Sequence, residues 1–246
     1  MKTKPLFALI IISMLIIMTS CSANKTTLLE EVPINFNDYV NSYAWSSFTY
    51  SHDYHFQITE TQDTWVINLH FYGHFTNLEP SVHLGINNHY VKLNWHPVSH
   101  HFPYSHSASV RDVDNLFHIS YPSVKIRLET AQGISEVNLK LPYERPEIVD
   151  TEPVYKNNEE FTINWQLQQV EDFQSLSWLG SIVNLSMPIR NTRVIDDNSR
   201  SFTIYPSNFD EQLEYLQLSI SNVNAISTKN HLFTATKSDE IYLKIE

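Results

Sequence analysis

The stretch Trp65-Val66-Ile67-Asn68-Leu69-His70-Phe71-Tyr72 decides the fold. Successive side chains of an extended chain point to opposite faces, so Trp65, Ile67, Leu69 and Phe71 share one face and Val66, Asn68, His70 and Tyr72 the other. Large apolar groups on one face only describe a strand lying against a core. Outward from it, the same alternation recurs over Tyr54–Thr59, Val82–Ile86, His89–Trp95, Leu116–Tyr121, Val124–Thr130 and Glu136–Leu141. Turn signals at Asn87-Asn88 and Gln132-Gly133 separate these runs. Some seven short strands predict a β-sandwich.

Composition agrees. Glycine is scarce, aromatic residues make up 13% of the chain, and no long segment has a helical period. Pro142, Pro146 and Pro153, set among charges, mark a boundary, because proline cannot donate to a sheet ladder. A second series follows: Phe161, Ile163, Trp165 and Leu167 alternate, then Ile182–Leu185, Phe202–Ile204, Leu216–Ile220, Leu232–Thr236 and Ile241–Ile245. Phe161-Thr162-Ile163-Asn164-Trp165, Ser201-Phe202-Thr203-Ile204 and Leu216-Gln217-Leu218-Ser219-Ile220 resemble strands of immunoglobulin-like and fibronectin-type-III-like modules. The expectation is an all-β chain with two tandem immunoglobulin-like β-sandwich domains, residues 34–145 and 146–246.

The first residues read differently. Lys2 and Lys4 precede a run from Leu6 to Met18 that is apolar apart from Ser13. About 13 apolar residues fall short of the roughly 20 a spanning helix needs, and a charged end before an apolar stretch has the form of an export signal. Met18-Thr19-Ser20-Cys21 resembles the lipobox of bacterial lipoproteins, with Met18 where leucine is usual. The resemblance implies that residues 1–20 are a cleaved signal peptide and that Cys21 carries a diacylglycerol and a further acyl chain such as palmitate. Two or more chains, each methylene contributing about 0.8 kcal/mol, anchor firmly where one chain does not. It also implies a cell-envelope location, and Ser22, where inner-membrane retention would place aspartate, points to the outer membrane of a Gram-negative host. Residues 21–33 then form a lipidated, flexible tether. Cys21 is the only cysteine, so a monomer forms no disulfide.

The formal charge is −11, and removing Lys2 and Lys4 takes it to −13. Such a surface disfavours nucleic acid, which is gripped through its phosphates.

Eleven of the twelve histidines lie between His52 and His118. Neutral imidazole suits copper and zinc. Two ligands on one strand should be i and i+2, about 7 Å apart, and no histidine pair here has that spacing. A loop offers another route: His96, His100, His101 and His106 sit in a segment broken by Pro97 and Pro103, where a bend would let them converge on copper or zinc. A further reading is electrostatic. From Ser22 to Pro146 there are seven basic and twelve acidic residues, a net of −5. Protonating eleven histidines below about pH 6 would bring it to roughly +6.

Signatures of catalysis are missing from the sequence: no Gly-x-Ser-x-Gly, His-Glu-x-x-His, phosphate-binding glycine loop or paired cysteines. Asp196-Asp197-Asn198 has oxygens for calcium but lacks the spaced acidic pattern of a known loop and reads as a solvated turn. Trp178 and Tyr104 belong either to a binding surface or to a core. The sequence therefore predicts a membrane-anchored, non-catalytic binding or scaffolding module whose partner is an envelope protein or glycan. A metal-binding envelope protein and an enzyme without a visible signature are the alternatives.

Overall fold

The computed structural model describes residues 26–28, 31–34, 54–61, 64–72, 81–97, 105–130, 133–149, 154–156, 159–182, 189–205, 213–229 and 231–245. Among them the regular structure is entirely β. The first strands are β1 (Thr26–Leu28), β2 (Glu31–Val32), β3 (Tyr54–Thr61), β4 (Thr64–Tyr72), β5 (Ser81–Ile86) and β6 (His89–Asn94). Then come β7 (His96–Pro97), β8 (Ser105–Asp112), β9 (Ser123–Thr130), β10 (Gly133–Lys140), β11 (Glu147–Val149) and β12 (Val154–Tyr155). The last are β13 (Phe161–Gln166), β14 (Phe173–Ile182), β15 (Ile189–Ile195), β16 (Ser201–Ile204), β17 (Leu213–Thr228) and β18 (His231–Ile245).

Three sheets result: β1-β10-β9-β5-β6, β11-β13-β16, and a ten-stranded sheet along β15-β14-β17-β18-β3-β4-β8-β7, to which β12 and β2 add at β18 and β17. The strand that opened the sequence reading behaves as its alternation requires. Trp65, Ile67, Leu69 and Phe71 are buried, and Val66, Asn68 and His70 are partly exposed. With Phe56 and Ile58 of β3, Ala108 of β8, and Phe233 and Ala235 of β18 they form one layer of the first core. Val82, Leu84, Ile86, Val124, Ile126 and Leu128 of the five-stranded sheet form the other. Two sheets pack face to face, the arrangement that alternation predicts.

The second core has the same logic. Ile163 and Trp165 of β13 and Ile204 of β16 meet Leu176 and Trp178 of β14, Leu216, Leu218 and Ile220 of β17, and Leu243 of β18. The three-stranded sheet thus covers one part of the large sheet and the five-stranded sheet covers another. One sheet is the common layer of two sandwiches.

The hairpin β17–β18 makes this possible. Its strands are 16 and 15 residues long, so at about 3.3 Å per residue the ribbon spans about 50 Å. Along β17 one face runs Leu216, Leu218, Ile220, then Asn222 and Asn224, then Ile226, and the matching face of β18 runs Leu243, Ile241, Asp239, Lys237, Ala235, Phe233. The apolar ends belong to the two cores, and the polar middle lies between them. There Asn222 Nδ2 donates to the carbonyls of Glu144 and Gln169 (both 3.1 Å), while its Oδ1 accepts from Glu171 N (3.0 Å). Lys237 and Arg145 both reach Glu60 (3.4 and 3.3 Å), and Ile148 N donates to Asp239 Oδ2 (2.8 Å). The linker after Leu141 is therefore bonded to both sandwiches. A boundary at residue 145/146 does not foresee that the last two strands are shared.

Other elements depart from the sequence reading. Leu116–Tyr121 is not a strand: Asn115 and His118 have positive φ (51° and 49°), which breaks an extended run. Ser105–Asp112, whose first two residues fall in the expected histidine loop, is a strand between β4 and β7. Leu232–Thr236 and Ile241–Ile245 are one continuous strand, and β17 extends beyond Leu216–Ile220 in both directions. Phe173–Ile182 and Ile189–Ile195 add strands, and of the expected Ile182–Leu185 only Ile182 lies among the described residues. Within the expected tether, β1 pairs with β10 and β2 with the end of β17, and just beyond it Ile34 packs on Phe173, Val223 and Ala225. Residues 26–28 and 31–32 of the expected tether are therefore strands.

Candidate binding surface

Two members of the expected metal quartet, His96 and His106, can be placed. His96 lies opposite Ser107 in the β7–β8 pair, so these two share a face, and His106, one residue along, points the other way. His106 is 4% exposed on the core side beside Phe71, its register partner, whereas His96 is exposed. His100 and His101 lie outside the described residues. Among the described residues no three histidine, cysteine or acidic side chains converge on a point that would hold a metal ion. A strand took the place of the expected bend and sent the neighbours to opposite faces. Cys21 and Tyr104 also lie outside the described residues.

Burial changes the charge reading too. His55 and His106 are buried, at 2% and 4% exposure. Burial pushes the His106 imidazole below its ordinary pKa, since the charged form loses its solvation. Eleven histidines therefore do not protonate together, and the swing of the first half on acidification is smaller than from −5 to +6.

Trp178 is a core residue at 2% exposure, stacked on Phe202 with the Arg193 guanidinium 5.6 Å from its ring centre. The Asp196-Asp197-Asn198 turn is closed on itself. Asn198 N donates to Asp196 Oδ1 (2.9 Å), and the buried Gln174 side chain donates to the carbonyls of Asp196, Asp197 and Ser199 (3.1, 3.2 and 3.3 Å). Arg200 Nη1 adds a bond to Asp197 O (2.8 Å). Trp165 Nε1 in turn donates to Gln174 Oε1 (2.9 Å), so the turn is tied to the second core. Its carbonyls already face an amide and a guanidinium, which leaves no oxygen cage for a cation.

What the structure does gather is an exposed apolar surface at the end of the first sandwich that faces the second. Nine large apolar or tyrosine side chains are exposed among the described residues. Three of them, Val113 (68%), Leu116 (60%) and Tyr121, lie on the β8–β9 connection, and a fourth, Tyr143, lies on the linker. The rings of Tyr121 and Tyr143 meet edge to face at 5.0 Å. The connection is held from beneath. Phe117 and Ile119 are buried in the first core, and Asp112 Oδ1 accepts from Phe117 N (3.4 Å). Asn87, in the left-handed turn between β5 and β6, reaches across: its Nδ2 donates to the carbonyls of Phe117 (3.4 Å) and His118 (3.1 Å), and its Oδ1 accepts from Lys125 N (2.9 Å). An apolar loop on a rigid support is how sandwiches present binding residues. Sequence reasoning missed it because Leu116, Phe117 and Ile119 looked like one strand. The signal lay in Asp114-Asn115, which favours a turn and left-handed backbone.

No family model matches the chain, and no curated protein matches it. Among solved structures it is similar to the FN1–FN3 domains of chicken CNTN1, at 10% identity and a TM-score of 0.25, over 78% of this chain and 64% of that one. It is also similar to the calcium-binding domain CBD12 of CALX1.1, at 10% identity and a TM-score of 0.22, over 78% of this chain and 97% of that one. The third is the Ig1–Ig3 ectodomain of mouse nectin-like molecule 4, at 7% identity and a TM-score of 0.22, over 79% of this chain and 65% of that one. The chain thus spans less than two thirds of the CNTN1 and nectin-like chains. TM-scores of this size attach no ligand to the protein, and the sandwich assignment rests on its own strand pairing and cores.

Proposed function

We propose that the protein is a lipid-anchored, non-catalytic binding module of the bacterial cell envelope that takes a protein partner at the apolar end of its first sandwich. The observation that carries this reading is the exposure of Val113, Leu116 and Tyr121 on one hydrogen-bonded loop, with Tyr121 in ring contact with Tyr143 of the linker. Exposed apolar groups on a rigid base bind with little ordering cost. The acidic composition and the exposed tyrosine pair favour a partner with apolar and basic groups over nucleic acid or anionic lipid heads.

The anchor half of the proposal rests on the lipobox-like Met18-Thr19-Ser20-Cys21. Cells fed labelled palmitate should label the wild-type protein and leave Cys21→Ser unlabelled and uncleaved. Equal labelling of both would remove the anchor from the reading. For the binding half, a photo-crosslinking residue at position 116 in the full chain should give one discrete adduct in living cells, which Val113→Ser weakens. The same probe at Tyr242, exposed on the second sandwich, should give none. No adduct at 116, or the same adduct at both positions, would overturn the docking site.

A further inference from the structure

We infer that His89 and His118 form a two-histidine site for a late first-row divalent ion, Cu²⁺ most tightly, at the β5–β6 turn of the first sandwich. Their ring centres are 5.0 Å apart. Metal–nitrogen bonds of about 2.0–2.1 Å put the ion about 3.2 Å from each ring centre, so angles of roughly 90–110° at the metal require centres about 4.5–5.2 Å apart. The pair fits that window. The cross-strand pair His55 and His70, at 6.1 Å, does not, and His55 Nε2 is already within 3.0 Å of Thr234 Oγ1. Rotation about a metal–nitrogen bond leaves the 57° angle between the two rings unconstrained.

Both imidazoles are exposed and each is placed by its own backbone. His89 starts β6 directly after Asn87 and Asn88, both left-handed (φ 46° and 71°). His118 is itself left-handed (φ 49°), a conformation uncommon for a residue with a Cβ, and it is held there by the Asn87 amide on its carbonyl and by the buried neighbours Phe117 and Ile119. One asparagine thus fixes the distance between the two ligands. A chelate built from two separately anchored imidazoles needs no strand spacing of i and i+2, which is why the sequence did not show it. Water, or a side chain of a bound partner, completes the coordination.

The test is a Cu²⁺ titration of the full, tag-free chain in detergent, read by electron paramagnetic resonance. The first equivalent should show two coordinated imidazole nitrogens. His89→Ala or His118→Ala should weaken that equivalent at least about tenfold, given that loss of even an outer-shell partner of a ligand costs about ten- to hundredfold. Each single variant should leave one nitrogen, whereas His83→Ala, exposed on the neighbouring strand, should change nothing. If the first equivalent binds His89→Ala/His118→Ala as tightly as wild type, or if none binds tighter than millimolar, the site does not exist. Matching circular dichroism melts will establish that the variants, altered only at exposed positions, stay folded.

Discussion

Asn222 is fully buried and bonded to backbone groups of Glu144, Gln169 and Glu171, in two connectors far apart in sequence. Replacing it by leucine strands two carbonyls and an amide away from water, at about 1–3 kcal/mol for each unsatisfied group. Asn222→Leu should therefore lose about 3 kcal/mol or more in urea unfolding, and a loss below about 1 kcal/mol would show that water reaches the junction. None of this could be read from the sequence, because an asparagine has no period and its carbonyl partners lie 53 and 78 residues away. The alternation from Trp65 to Phe71 could be read, since it depends on neighbours alone. His106 gives a prediction in pH. Its folded pKa lies below its unfolded value of about 6.5, because burial disfavours the cation. On acidification through 6.5 the unfolded chain takes up a proton that the folded chain refuses, so this residue's stabilising contribution is full above that pH and falls below it. His106→Leu should show a smaller loss of melting temperature between pH 7.5 and 5.5 than wild type. An unchanged slope would place the proton elsewhere.

The elements that escaped the sequence share a physical cause. In β8 the inward residues are His106, Ala108, Val110 and Asp112, a set too small and polar to announce a buried face. The last strand looked like two because Lys237, Ser238, Asp239 and Glu240 interrupt its apolar pattern. The interruption is the stretch of hairpin that crosses from one core to the other, where charge meets Glu60, Tyr143 and Ile148 instead of a core. Periodicity reports the burial of a strand, not its continuity. The continuous ribbon has a consequence for cooperativity: neither sandwich has a complete layer without β17 and β18, so melting one removes strands from the other. Single-tryptophan forms keeping Trp65 in the first core or Trp178 in the second should unfold in urea with the same midpoint. Midpoints separated by more than the error of the fits would mean that the hairpin frays at Asn222 and Asp239 and that the cores fold apart.

For the whole molecule, the direction of β1 settles which end would face a membrane if Cys21 is lipidated. β1 runs parallel to β10, with Thr26 opposite Ile134 near the start of that strand, and β2 pairs with Ser227 and Thr228 at the tip of the hairpin. Both contacts are at the end of the first sandwich remote from the second. Cys21 is five residues from Thr26 and can be no more than about 18 Å from it along an extended chain. The hairpin tip then lies close to the bilayer. The loop with Val113 and Leu116 stands about one eight-residue strand farther out, about 27 Å, followed by the second sandwich. On the proposed anchor the acidic chain would stand upright, with its apolar loop turned away from lipid. A fluorophore on Lys229→Cys, exposed at the hairpin tip, should be strongly quenched by spin-labelled lipids in liposomes bearing the acylated protein. The same fluorophore on Leu116→Cys should be quenched little. The reverse order would put the apolar loop in the membrane and turn the proposed docking site into a lipid contact.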